Sequence, residues 1–171
     1  MVWIAVYKSR NSQFIIYKFK LFKHAWMQEK CRVPVEKGVV LIGIMDETGK
    51  LPAGTFYACW DRPPADSDDP YATPTAEPLP AHTRALVSRN PVVSPADLRI
   101  LKAADPATLP DELTSLHNVV VFPKVGRRPE QCKMSGGDLD GDIFFIIWDE
   151  KLIPVSDAPA NDYRCAAAAV L

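Results

Sequence analysis

The chain has no cysteine pair spaced to share a small metal ion. Cys31, Cys59, Cys132 and Cys165 lie far apart and no CxxC occurs, which excludes a zinc knuckle and a disulfide-dense scaffold and suits a reduced, intracellular protein. It also lacks a basic excess. With 20 Lys and Arg against 21 Asp and Glu, and a net charge of −1, whole-chain attraction to a polyanion is excluded, so any such contact needs a local patch. No apolar run approaches membrane-spanning length. The opening MVWIAVY has no preceding basic region and no small-residue cleavage site, so it does not read as a signal peptide. The expectation is an intracellular protein, nuclear or cytoplasmic, neither secreted nor bound to membrane. Helical periodicity is scarce and no internal repeat is visible. His24, His82 and His117 have no partner spacing for a zinc site or an activated nucleophile. Ser135, in SGGD, lacks the GxSxG elbow of a nucleophilic serine.

What is present is enough apolar material for a core. In 171 residues, 47% are hydrophobic and 24% charged, the balance of a folded domain. Residues 1–30 alternate apolar with basic or polar side chains and admit either strands or an amphipathic helix; they form an atypical N-terminal segment. The runs GVVLIGIM and GTFYACW flank the turn chemistry of DETGKLPAG, predicting a hairpin or a strand, loop and strand, with Asp46 and Glu47 as turn formers. Between Asp61 and Pro80, proline and acid dominate, predicting an exposed irregular loop. RALVS and NVVVFP read as strands, while SPADLRILKAAD has the serine and proline start of a short helix or turn. The fold class is therefore mainly β with minor α and barrel character. Its core region is 31–155, followed by a short tail, 156–171.

The chemistry concentrates in SGGDLDGDIFFIIWDE, Ser135 to Glu150. Asp138, Asp140 and Asp142 alternate beside a glycine, directly before an apolar run. Such crowded charge opposes folding unless a cation or a set of donors neutralises it. On an extended segment, alternate side chains share a side, and a glycine lets the backbone turn so that they converge. Three carboxylate oxygens with open positions suit Mg²⁺, with Mn²⁺ as the alternative. A calcium loop of the EF-hand type is excluded, because counting from Asp138 puts Ile143 at the sixth position and Asp149 at the twelfth, where glycine and glutamate are needed. The remaining alternative is an acidic turn before a strand. Asp149 and Glu150 read as caps of that strand's end. Lys124, Arg127, Arg128 and Lys133 form a local basic cluster beside the acidic loop, readable as a solvated face or, on the resemblance described next, as contacts to RNA or triphosphate.

These residues carry a resemblance. SGGDLDGDIFFIIWD, preceded by VVVFPKVGRRP, RNPVVSPADLRILKA and VPVEKGVVLIGIMDETGKL, resembles in order and rough spacing the catalytic region of the cellular RNA-dependent RNA polymerases of RNA silencing. It covers about Cys31 to Tyr163. The resemblance implies the second of two double-psi β-barrels and a metal triad of Asp138, Asp140 and Asp142. It further implies attack of an RNA 3′-hydroxyl on the α-phosphorus of an incoming nucleotide. Arg89, in SRNP, matches an arginine lying near the incoming ribose, with Asn90 placed to assist by hydrogen bonding. The implied partners are template and product RNA strands, nucleoside triphosphates and other RNA-silencing components. Polymerases of this kind are far longer and place their site between two barrels, so a fragment is expected. Two function classes stay open: a catalytic segment that works only with the missing parts, and a noncatalytic remnant that binds a divalent ion or RNA.

Overall fold

The computed structural model describes residues 2–5, 32–62 and 74–162. Nine strands appear among them: β1 (Val2–Ala5), β2 (Arg32–Val35), β3 (Gly38–Met45), β4 (Thr55–Arg62), β5 (Thr75–Pro78), β6 (Arg84–Arg89), β7 (Arg99–Ala103), β8 (Val119–Phe122) and β9 (Ile143–Ile147). Among the described residues, helix is confined to 3-10 turns at Pro95–Asp97, Pro106–Thr108 and Gln131–Lys133 and one α-turn at Asp111–Thr114.

β1 and β2 form an antiparallel ribbon. The main sheet runs β5-β4-β7-β6-β9-β3-β8, and an added β4–β8 pairing closes β4, β7, β6, β9, β3 and β8 into a barrel, with β5 as an appended edge on β4. Two pairs are parallel, β3 with β8 and β4 with β7; the other pairs of the barrel are antiparallel. Closure removes most free edges, which a chain with so many short strands requires.

Side-chain alternation explains why several strands read as continuous apolar runs. On β9, Phe144 and Ile146 enter the barrel interior with Leu41, Phe56, Val87, Val120 and Phe122. Phe145 and Ile147 turn outward into a second cluster with Val35 and Leu86. On β4 and β8, Tyr57, Cys59 and Val121 face a third cluster with Leu51, Leu109 and Leu113. Each fully buried side chain of this size contributes about 1.5–3 kcal/mol. A strand with both faces covered needs no polar alternation. At the end of β9, Trp148 stacks on Trp60 with ring centroids 5.3 Å apart.

DETGKLPAG takes the second of its two expected forms, strand, loop and strand, because β3 pairs with β8 and β9 while β4 pairs with β5, β7 and β8. SPADLRILKAAD is helical only at Pro95–Asp97, where the Ser94 hydroxyl caps the turn; then Leu101 and Ala103 alternate into the barrel as β7. Both ends of the expected loop from Asp61 to Pro80 are strand, since β4 continues through Arg62 and Thr75–Pro78 is β5. Residues 63–73 lie outside the described residues, as do 6–31 of the N-terminal segment and 163–171 of the tail. The described part of the tail is tied to β7: Asp157 pairs with Arg99 at 2.6 Å and accepts from the Ile100 N–H at 2.7 Å.

Candidate metal centre

The loop from Ser135 to Asp142 connects the Gln131–Lys133 turn to β9. It is tightly coiled, with positive φ at Ser135 (51°), Gly136 (69°), Leu139 (67°) and Gly141 (115°). Gly141 does what the sequence predicts of a glycine inside the aspartate set. Leu139 adopts the same left-handed region at a cost in backbone strain, and its side chain packs against the barrel core. Asp138 and Asp140, on either side, stay exposed. The leucine is thus an apolar anchor that turns its two neighbours outward.

Two glycines outside the motif make room. A Cβ on Gly43 of β3 would lie 2.4 Å from Phe144 Cε2 and 2.8 Å from Leu139 Cδ2, so this glycine lets the anchor seat over β3. A Cβ on Gly137 would lie 3.0 Å from the Gln131 carbonyl and 3.1 Å from Asp142 Oδ2. The Gly43 N–H also donates to the Asp142 carbonyl at 2.9 Å, fixing the loop's end to β3.

The three aspartates each offer a carboxylate oxygen within 4.8 Å of the others. Asp142 Oδ2 accepts from the Asp138 N–H at 3.1 Å, and Asp142 Oδ1 accepts from Arg89 Nη1 at 2.5 Å. The Asp140 carboxyl is pushed above its ordinary range, first by a hydrogen bond with Asp138 and then by that neighbour's charge, with Asp142 adding to it. Oxygen-only donors held this close, with their charge incompletely neutralised, fit a hard divalent cation.

Arg89 ends β6 and pairs through its Cα with Phe144 of β9, so the sheet register carries it to the loop. It binds Asp142 and, through Nη2, the Ser135 carbonyl at 3.2 Å. Sequence reasoning singled out Arg89 but missed this partner, 53 residues away. Asn90 is exposed and precedes a cis Pro91. The basic cluster is spent elsewhere: Lys124 donates to the Glu47 carbonyl, Arg128 to the Cys132 carbonyl, and Lys133 pairs with Glu130. Arg127 is exposed. None of these contacts reaches the aspartates.

A family model described as RNA dependent RNA polymerase matches residues 9–169. The chain belongs to the RNA-dependent RNA polymerase family. It is 35% identical over 142 residues to a probable RNA-dependent RNA polymerase 2 of Oryza sativa subsp. japonica, covering 80% of this chain and 12% of that protein. It is 38% identical over 136 residues to RNA-dependent RNA polymerase 1 of Schizosaccharomyces pombe, covering 75% of this chain and 11% of that one. The chain therefore spans about an eighth of the length of the curated relatives it matches. Among solved structures, RNA dependent RNA polymerase QDE-1 from Thielavia terrestris is similar with a TM-score of 0.63 and 23% identity, over 82% of this chain and 14% of that one. That likeness supports the mainly β, double-psi-type barrel expected for this member of the polymerase family. Among the described residues, no helix is long and apolar enough to cross a membrane.

Proposed function

We propose that this RNA-dependent RNA polymerase family member carries the metal-binding part of a nucleotidyl-transfer site, acting in RNA silencing on RNA strands and nucleoside triphosphates. One observation supports this above the rest: Asp138, Asp140 and Asp142 converge on a strained loop anchored to the barrel, in a chain matched to the family over almost its whole length.

Asp138, Asp140 and Asp142 are the residues that would hold Mg²⁺, or Mn²⁺ in its place. A divalent ion so held supplies charge neutralisation on a triphosphate and makes a nearby hydroxyl a better nucleophile. The protein's own contribution is positional. Leu139 and Gly43 set the outward aim of Asp138 and Asp140, and the Asp138 N–H holds Asp142 Oδ2 from within the loop. The bond-forming group is an RNA 3′-hydroxyl and the leaving group pyrophosphate, so no protein nucleophile is required. Arg89, beside the aspartates, and Asn90 after it would contact the incoming ribose, and Arg127, exposed, would contact RNA.

Metal binding to this chain and primer extension by a full-length polymerase bearing this segment test the reading together. Wild type should bind Mn²⁺ and Asp140→Ala should not, and the same substitution should stop extension. Full extension with Asp140→Ala would sink the assignment. Metal binding without extension in the full-length protein would favour the noncatalytic remnant.

A further inference from the structure

The contact between Arg89 and Asp142 has no counterpart at the other two aspartates. Arg89 and Asp142 side chains are only 24% and 13% exposed, so their attraction is screened less than that of a surface pair. The guanidinium fork reaches both ends of the loop, at the Asp142 carboxylate and the Ser135 carbonyl. Ser135 in turn donates its hydroxyl to the Pro91 carbonyl at 2.9 Å, tying the loop back to the segment after β6. Arg89 Nε is buried with no hydrogen-bond partner. Among the described residues, neither Asp138 nor Asp140 forms an ion pair.

Resting on the reading that the triad holds a divalent ion, we propose that Arg89 is the built-in counter-ion of the site and sets its cation affinity. A guanidinium on Asp142 neutralises part of the charge that would otherwise attract a metal ion. Loading the site requires Asp142 to share its carboxylate with, or be released from, the arginine, and the two cations then repel each other. Both effects weaken binding. By linkage, removing the positive charge destabilises the metal-free state and strengthens metal binding, whereas a residue that merely shaped the loop would weaken binding when removed. Arg89→Lys keeps the charge and loses the fork, so it separates electrostatics from shape.

The test is calorimetric titration of this chain with MnCl₂, paired with thermal unfolding in the absence of metal. Arg89→Met should bind Mn²⁺ roughly tenfold more tightly than wild type, with a lower metal-free Tm and a larger rise in Tm on adding Mn²⁺. Arg89→Lys should bind within a few-fold of wild type. A folded Arg89→Met with equal or weaker affinity overturns the proposal. If Arg89→Met does not fold, the side-chain nitrogen resonances of Arg89 in the wild type decide: they should shift on Mg²⁺ loading, and unchanged resonances overturn it. Asp140→Ala separates the two layers. If it binds Mn²⁺ as wild type does, the metal-site reading falls and this inference with it; if it loses binding while Arg89→Met gains none, only the counter-ion role falls.

Discussion

Two acidic turns of this protein look alike as sequence and differ in what surrounds their carboxylates. DETGKL follows β3, and DLDGDI leads into β9; each contains a glycine at positive φ, Gly49 at 69° and Gly141 at 115°. Asp46 is fully buried. Its Oδ1 accepts from the Thr48 N–H at 2.8 Å, the Thr48 hydroxyl at 2.7 Å and the Gly49 N–H at 3.0 Å, and its Oδ2 accepts from the Leu51 N–H at 2.8 Å. Burial alone would raise its pKa, but these hydrogen bonds together outweigh burial and hold the carboxyl below its ordinary range. Asp140 has moved the other way, raised chiefly by Asp138. A carboxylate wrapped by its own turn is a structural part. Carboxylates turned outward beside one another, with few donors of their own, are held ready for something else.

The sharpest way to break the contrast is to remove one acid from each turn. In a full-length polymerase bearing this segment, Asp140→Ala should lower nucleotide addition by more than about 1,000-fold, since the ion it helps hold is worth several kcal/mol. The same change should leave the metal-free Tm of this chain unchanged or slightly raised, because it relieves repulsion. A metal-free Tm that drops sharply would make the two turns equivalent. Asp46→Ala should do the opposite, destabilising the fold by about 3 kcal/mol as buried N–H groups lose their acceptor, with Mn²⁺ affinity of the folded fraction intact. Denaturant unfolding measures the first quantity and calorimetry the second.

A smaller effect sharpens the link between anchor and aspartates. Gly43→Ala should cost about 2 kcal/mol by overpacking against Phe144 and Leu139. It should also weaken Mn²⁺ binding, although it removes no ligand. Unaltered metal affinity would show that Leu139 does not aim its neighbours. The smallest effect is in the pH dependence of Asp46. Its folded pKa lies below the ordinary 3.8, so its stabilisation is complete above the unfolded value and is lost as pH falls through the folded one. The stability gap between wild type and Asp46→Asn should hold at neutral pH and close only below about pH 4.

The strands at TFYACW, VVVF and IFFII were legible because burial on both faces writes itself as nearly unbroken apolar runs; GVVLIGIM was legible from its β-branched content, although Val40 and Ile42 are exposed on its outer face. Thr75–Pro78 was not, because β5 is an edge strand with no buried residue, so its polar sequence matches a loop. The aspartate cluster was legible from spacing alone, yet its supports were not. Gly43 sits within an apolar strand pattern, and only the packed neighbours show what its missing side chain is for. Asp46 read as a turn former, which it is; that it is also buried depends on β3, β8 and the Leu51 cluster closing around it.

The pairing of Arg89 with Phe144 across β6 and β9 has a consequence for how this gene can vary. Side chains on a strand alternate between its faces, so adding or deleting one codon between Arg84 and Arg89 would turn the guanidinium to the other side of the barrel wall, away from Asp142. Reading frames that keep the aspartates but shift β6 by one residue should therefore encode proteins with an intact acidic motif and no arginine beside it, a lesion invisible to any search for the motif itself.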